Sequence, residues 1–218
     1  LTMIGKGKSI SHGVAALEYD LAKEINGQAV ATEIARHELY GCTGAEMVQE
    51  MKPYHIDFPN VKNNCLRFEV SPSIEESATF TDADWAELGN DFMQRMGLAN
   101  HQYIIIRHSG TESKKEQAHL HILANRVSLS GELYRDNWIG KKATEAANAI
   151  AKERNFVQSQ DIGKVNKAEI KEAMDGVLKK MQGFDFTKFK EELGKRGFKV
   201  REARASTGKL NGYYVTAR

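Results

Sequence analysis

Apolar and polar residues recur along this chain with two periods, and the places where the period changes mark the predicted elements. Alternation by two is clearest in Leu66-Arg67-Phe68-Glu69-Val70. It predicts a strand with Leu66, Phe68 and Val70 towards the core and Arg67 and Glu69 on the opposite face. Further strands are read at residues 3–10, 102–108, 117–123, 198–201 and 213–216. Helical spacing takes over where Thr81-Asp82-Ala83-Asp84 opens a segment with Trp85, Leu88, Phe92 and Met96 along one stripe, which Gly97 ends. Thr43 caps a short helix over 44–51 that stops at Pro53. Ser11 is read as the cap of a helix over 14–24, followed by the turn signal Asn26-Gly27. Residues 29–40 fit helix and strand equally, and Ser130-Gly131 reads as a turn. Three amphipathic helices follow, at 138–154, 165–181 and 186–195, the last stopped by Gly197. Strands interspersed with helices, the strongest pair forming a hairpin, predict an α+β fold. Its central sheet is largely antiparallel with flanking helices, and its C-terminal part is helical and basic.

Composition adds a boundary to this picture. The 218 residues carry a net charge of only +2, but it is unevenly spread. From Asn155 to Arg218 there are 14 basic and 8 acidic residues, a net of +6, against 17 and 21 before it, a net of −4. A more acidic core at 3–154 and a basic helical and β-hairpin extension at 155–218 follow, the extension suited to tracking phosphates. Two cysteines, Cys42 and Cys65, make neither a metal pair nor a disulfide framework, which fits a reducing, cytoplasmic setting. No apolar run reaches membrane-spanning length and no signal peptide opens the chain. Leu1 and Thr2 precede Met3, read as the initiator. Lys6 and Lys8 lie in a Gly- and Lys-bearing stretch that lacks the spacing of a phosphate-binding loop.

The candidate chemistry centres on His119-Leu120-His121. On a strand the two imidazoles share a face while Leu120 and Ile122 take the other. With backbones about 7 Å apart, their rings can lean onto one cation. The strand 102–108 ends in His108, and the polar, Gly-containing segment between them reads as a hairpin loop that brings His108 opposite Ala118 and His119. Two histidines alone suit unrelated polar positions on a half-exposed strand; the third turns the reading towards a metal site of His108, His119 and His121. Three imidazoles leave positions open for water, as in a hydrolase, or for a phosphate oxygen. His12, His37, His55 and His101 are scattered and read as surface or locally hydrogen-bonded residues.

These residues resemble a mobilisation relaxase of the His-hydrophobic-His endonuclease superfamily. The match runs from Met3-Ile4-Gly5-Lys6 to Tyr19, through the strand ending at His108 and His119-Leu120-His121 with Asn125-Arg126-Val127, to Asp136-Asn137-Trp138 and the segment 189–200 with its Gly-Lys-Leu-Asn-Gly turn. It covers nearly the whole chain. The resemblance implies site- and strand-specific nicking at a transfer origin by metal-assisted transesterification. Tyr19 would attack a phosphodiester, form a 5′-phosphotyrosine link and later rejoin the strand. It also implies a divalent ion, Mg²⁺ or Mn²⁺, and single-stranded and hairpin DNA as substrates. Accessory mobilisation proteins and a secretion coupling protein are expected partners. Relatives often carry an acid two positions after the first histidine, where this chain has Gly110. Glu69, off the core face of its strand, is the candidate to orient a histidine or accept the tyrosine proton, with Glu112 in reserve. DNA contacts are expected from Lys6, Lys8, Arg126, Lys188, Lys190, Lys195, Arg196, Lys199, Arg201, Arg204 and Lys209. The chain's end directly after a strand reads as a fragment of a longer protein. A rolling-circle replication initiator, a non-catalytic DNA-binding module with structural histidines and a small-molecule metallohydrolase are the competing readings.

Overall fold

The computed structural model describes residues 3–110, 117–156 and 159–217, with the side chains of 159–166 and 217 left aside. The chain divides into two compact units, Leu1–Ser159 and Gln160–Arg218.

The first unit is built on a five-stranded sheet in the order β1-β5-β7-β6-β4, antiparallel at every pairing. Its strands are β1 (Ile4–Ile10), β4 (Ala31–His37), β5 (Cys65–Ser71), β6 (His101–His108) and β7 (His119–Ser128). The strand carrying His119 and His121 is therefore central. Alternation on these strands decides which helices cover which face. Leu66, Phe68 and Val70 of β5 and Leu120, Ile122 and Ala124 of β7 join a core with α4 (Asp82–Arg95) and α5 (Ile139–Glu153). Trp85, Leu88, Phe92 and Met96, the predicted stripe, are buried in it. Ile10, Cys65, Ile104, Ile106 and Leu123 point to the other face and pack with α1 (Gly13–Leu21) and α2 (Gly44–Met51). Two glycines of β1 let α5 lie directly on the sheet. A Cβ at Gly5 would stand 2.3 Å from the carbonyl oxygen of Ala143. A four-residue helix, α3 (Ile74–Ser77), connects β5 to α4.

Local signals fix most boundaries. Thr43 and Thr81 each form a capping box, with Glu46 and Asp84 as the reciprocal acids. The first helix departs from expectation at both ends: it starts after His12, with no side-chain cap, and stops at Leu21. The Asn26-Gly27 turn explains the early stop. Both residues have positive φ, 53° and 74°, and the turn pairs β2 (Glu24–Ile25) with β3 (Gln28–Ala29), withdrawing Glu24 from the helix. The ambiguous segment 29–40 contains β4, extended because it forms the sheet edge beside β6. The fifth helix begins after Trp138, whose φ is 59°.

The second unit comprises α6 (Ser159–Leu178, its first residue at the boundary), α7 (Phe186–Lys195) and the hairpin β8 (Phe198–Arg204) and β9 (Leu210–Ala217). Val177, Phe189, Leu193 and Val200 form its core. Among the described residues no helix is long and apolar enough to cross a membrane.

Candidate metal centre

The antiparallel register of β6 and β7 sets His108 opposite His119, and His121 opposite Ile106. Even positions of β6 and odd positions of β7 share a face, so all three imidazoles emerge on the α1 side of the sheet. Their candidate ligand atoms lie within 4.8 Å of one another. His119 Nε2 and His121 Nε2 are 3.1 Å apart.

Each ring is held from behind. His119 Nδ1 donates to the carbonyl of Gln117 at 3.0 Å, leaving Nε2 with its lone pair. His108 Nε2 donates to the carbonyl of Asp20 at 2.7 Å, leaving Nδ1. His121 Nδ1 faces Arg67 Nη2 at 3.2 Å. Burial, reinforced by His108, His119, Arg67 and Lys23, pushes the His121 imidazole down to about 2. Burial also lowers His108, against the pull of the Asp20 carbonyl. Both rings are therefore neutral at pH 7, the form that ligates. Three imidazoles whose ligand atoms lie within reach of one another, each with a polar contact behind it, fit a divalent metal ion.

Sequence reasoning missed Asp20 and Arg67. Asp20 follows Tyr19 on α1 and is 1 % exposed. Its carboxylate takes two hydrogen bonds from Arg67, one from Nε at 2.9 Å and a shorter one from Nη2, and its Oδ1 is 3.8 Å from His121 Nδ1. Arg67 carried a signal, since alternation sets it on the histidine side of β5. Asp20 carried none, because no spacing says which helix crosses the histidines.

Tyr19 is 56 % exposed, and its hydroxyl accepts a hydrogen bond from Lys23 Nζ at 2.6 Å. The same ammonium lies 4.8 Å from the ring centroid. Glu69 is opposite His121 in the β5–β7 register, and its carboxylate accepts from Lys6 Nζ at 2.8 Å. Asp20, on α1, places its carboxylate 3.8 Å from His121 Nδ1. Glu112 lies outside the described residues. Lys6, Lys8, Arg67, Glu69 and His121 line a common pocket of about 210 Å³. Arg126 is turned inward: its guanidinium donates to the carbonyls of Tyr134 and Asn63 and to Asp136.

In the second unit Lys190, Lys199 and Arg201 line a groove of about 560 Å³ between α7 and the hairpin, with no acidic side chain in its lining. Lys188 borders a separate pocket with Glu191, Glu192 and Arg196. Lys195 pairs with Glu192 and Arg204 with Glu202, while Arg196 donates to the carbonyl of Ala173. Lys209 is exposed. Three of the other histidines are locally engaged: His37 with the carbonyl of His101, and His55 and His101 with Asn125; His12 stands at the start of α1.

No curated protein matches the chain significantly. A family model does: the one described as "Relaxase: MobA/VirD2-like, nuclease domain" matches residues 19–156, more than half of the sequence. That span begins at Tyr19 and contains all three histidines, Asp20 and Arg67. The chain belongs to the MobA/VirD2-like family of relaxase nuclease domains, which nick DNA.

Proposed function

We propose that the chain nicks one DNA strand at a transfer origin by transesterification, with Tyr19 as nucleophile and His108, His119 and His121 holding a divalent ion, Mg²⁺ or Mn²⁺. The observation that carries the reading is the convergence of three histidines, two buried and one half-buried, beside the helix that bears an exposed tyrosine. The Tyr19 oxygen bonds to the scissile phosphorus and the 3′-oxygen leaves, so one P–O bond replaces another and the strand can be resealed. The phenolic proton departs and the 3′-oxygen gains one. Lys23 fixes the Tyr19 hydroxyl and faces it with positive charge. A bound divalent ion supplies Lewis-acid stabilisation of the charge that grows on the phosphate oxygens. Lys6 and Lys8 border the pocket next to His121 and suit the backbone of the entering single strand. Lys190, Lys199 and Arg201 suit a duplex arm of the origin. Arg126 is left out, because its donors are engaged within the fold.

The test is incubation with origin-derived single-stranded oligonucleotides and Mg²⁺ or Mn²⁺, followed by denaturing electrophoresis and peptide mapping. A covalent adduct on Tyr19 is expected, abolished by chelator and by Tyr19→Phe. An adduct on Tyr134, Tyr213 or Tyr214 would keep the chemistry and transfer the nucleophile, favouring a rolling-circle initiator. Tight DNA binding with no adduct on any origin tested would overturn the catalytic reading in favour of a binding module.

A further inference from the structure

We infer that Asp20 is a positioning residue that couples occupancy of the histidine centre to the seating of α1, the helix carrying Tyr19. The inference rests on the reading above that the three histidines hold a divalent ion. Asp20, on α1, meets two of those histidines. Its backbone carbonyl receives the His108 Nε2 proton at 2.7 Å. Its carboxylate is clamped by Arg67 and stands 3.8 Å from His121 Nδ1. A buried ion pair by itself has a bland explanation, since such pairs hold elements together at little net gain. The contacts to His108 and His121 are what a mere latch between α1 and β5 would not need.

The direction of the contacts gives Asp20 a specific task. His121 faces His119 with Nε2 at 3.1 Å and presents Nδ1 to Arg67 and Asp20. An ion held among the three rings would be met by Nε2, and Nδ1 would then be the N–H of the ligating ring. The carboxylate oxygen beside that nitrogen is Asp20 Oδ1, at 3.8 Å. Carboxylates behind a ligating histidine fix its tautomer, and removing one typically weakens metal affinity about 10–100-fold. Because this carboxylate belongs to α1, whatever tightens its bond to His121 also tightens the helix on which Tyr19 stands.

The experiment uses the full chain, stripped of metal, in wild-type, Asp20→Asn and His119→Ala forms. Co²⁺ is titrated by visible absorption and Mn²⁺ by competition. Imidazole ¹⁵N shifts report the His121 tautomer, and amide exchange over residues 13–21 reports α1. Asp20→Asn leaves the half-buried Arg67 beside a neutral group, so Asp20→Asn/Arg67→Gln is measured alongside in case the single variant does not fold. The expected result is a 10–100-fold loss of Co²⁺ and Mn²⁺ affinity in whichever Asp20 variant folds. In wild type, metal addition slows exchange in α1 and leaves the His121 ring with its proton on Nδ1; in the variants α1 is unchanged by metal. Affinity within twofold of wild type, with α1 protected by metal as before, would overturn the role of Asp20 alone. Metal binding that is absent in wild type, or unaltered in His119→Ala, would overturn the histidine centre and this inference with it.

Discussion

Trp138 shows how a single residue can sit against its own preference. Its φ of 59° lies in the left-handed region, which costs a residue with a Cβ about 1–2 kcal/mol, and it is 80 % exposed, so packing returns little. Trp138→Gly should therefore leave stability unchanged or raise it by up to about 1 kcal/mol, glycine's greater unfolded-state entropy offsetting part of the relief. Trp138→Ala should gain nothing, since alanine keeps the Cβ. Thermal melts of both variants decide this: a large loss with glycine would mean that the indole packs in a way its exposure does not reveal. The histidine centre is the opposite case at the same scale. There each side chain is held by a backbone carbonyl or a charged neighbour, and the three rings were legible from sequence because alternation and one hairpin bring them together. Asp20 was illegible, since its partners lie on strands far away in the chain.

At the scale of elements, glycine placement decides how closely α5 approaches β1. A Cβ on Gly5 would meet Ala143 O at 2.3 Å and Ala147 Cβ at 2.7 Å, and both belong to a packed helix that cannot turn aside. Gly5→Ala should cost about 1–3 kcal/mol or more through overpacking, read as a lower urea midpoint with unchanged slope. Gly140, inside the same helix, is different: its Cβ would stand 3.5 Å from Gly7 O, an ordinary contact. Gly140 lies in the first turn, where only part of the interior helix-propensity gain of about 0.5–1 kcal/mol applies, so Gly140→Ala should raise stability by less than that. Equal effects of the two substitutions would contradict the packing described. The first helix teaches the same lesson about boundaries. Its apolar spacing continues past Leu21, but the Asn26-Gly27 hairpin competes for Glu24 and Ile25 and wins because two positive-φ residues are well suited to that turn.

For the molecule as a whole, buried neutral histidines tie stability to pH. Burial lowers His55 and His101, outweighing the hydrogen bonds each makes to Asn125, and lowers His108 and His121 as well. In the unfolded chain these groups titrate near 6.5. Above that pH both states are neutral and the folded state keeps its full advantage. As pH falls below 6.5 the unfolded chain takes up protons that the folded chain declines, so stability is lost, by up to about 1.4 kcal/mol per pH unit for each group. Urea midpoints in chelator from pH 7.5 to 5 should therefore fall steadily below 6.5. His101→Gln should reduce that slope, and a midpoint flat down to pH 5 would contradict the burial of these rings. Sequence alone determined the α+β class, the hairpin, the α4 stripe, the Thr43 and Thr81 caps and the shared face of His119 and His121, because each depends on neighbours two to four residues apart or on one short turn. Only the tertiary structure decided that β7 is the central strand, that Glu69 pairs with Lys6 and Arg126 with Asp136, and that Asp20 stands behind the histidines. Those outcomes depend on which strand lies beside which and which helix covers them, and that is settled by how the whole set of apolar faces is buried together, not by the spacing within any one segment.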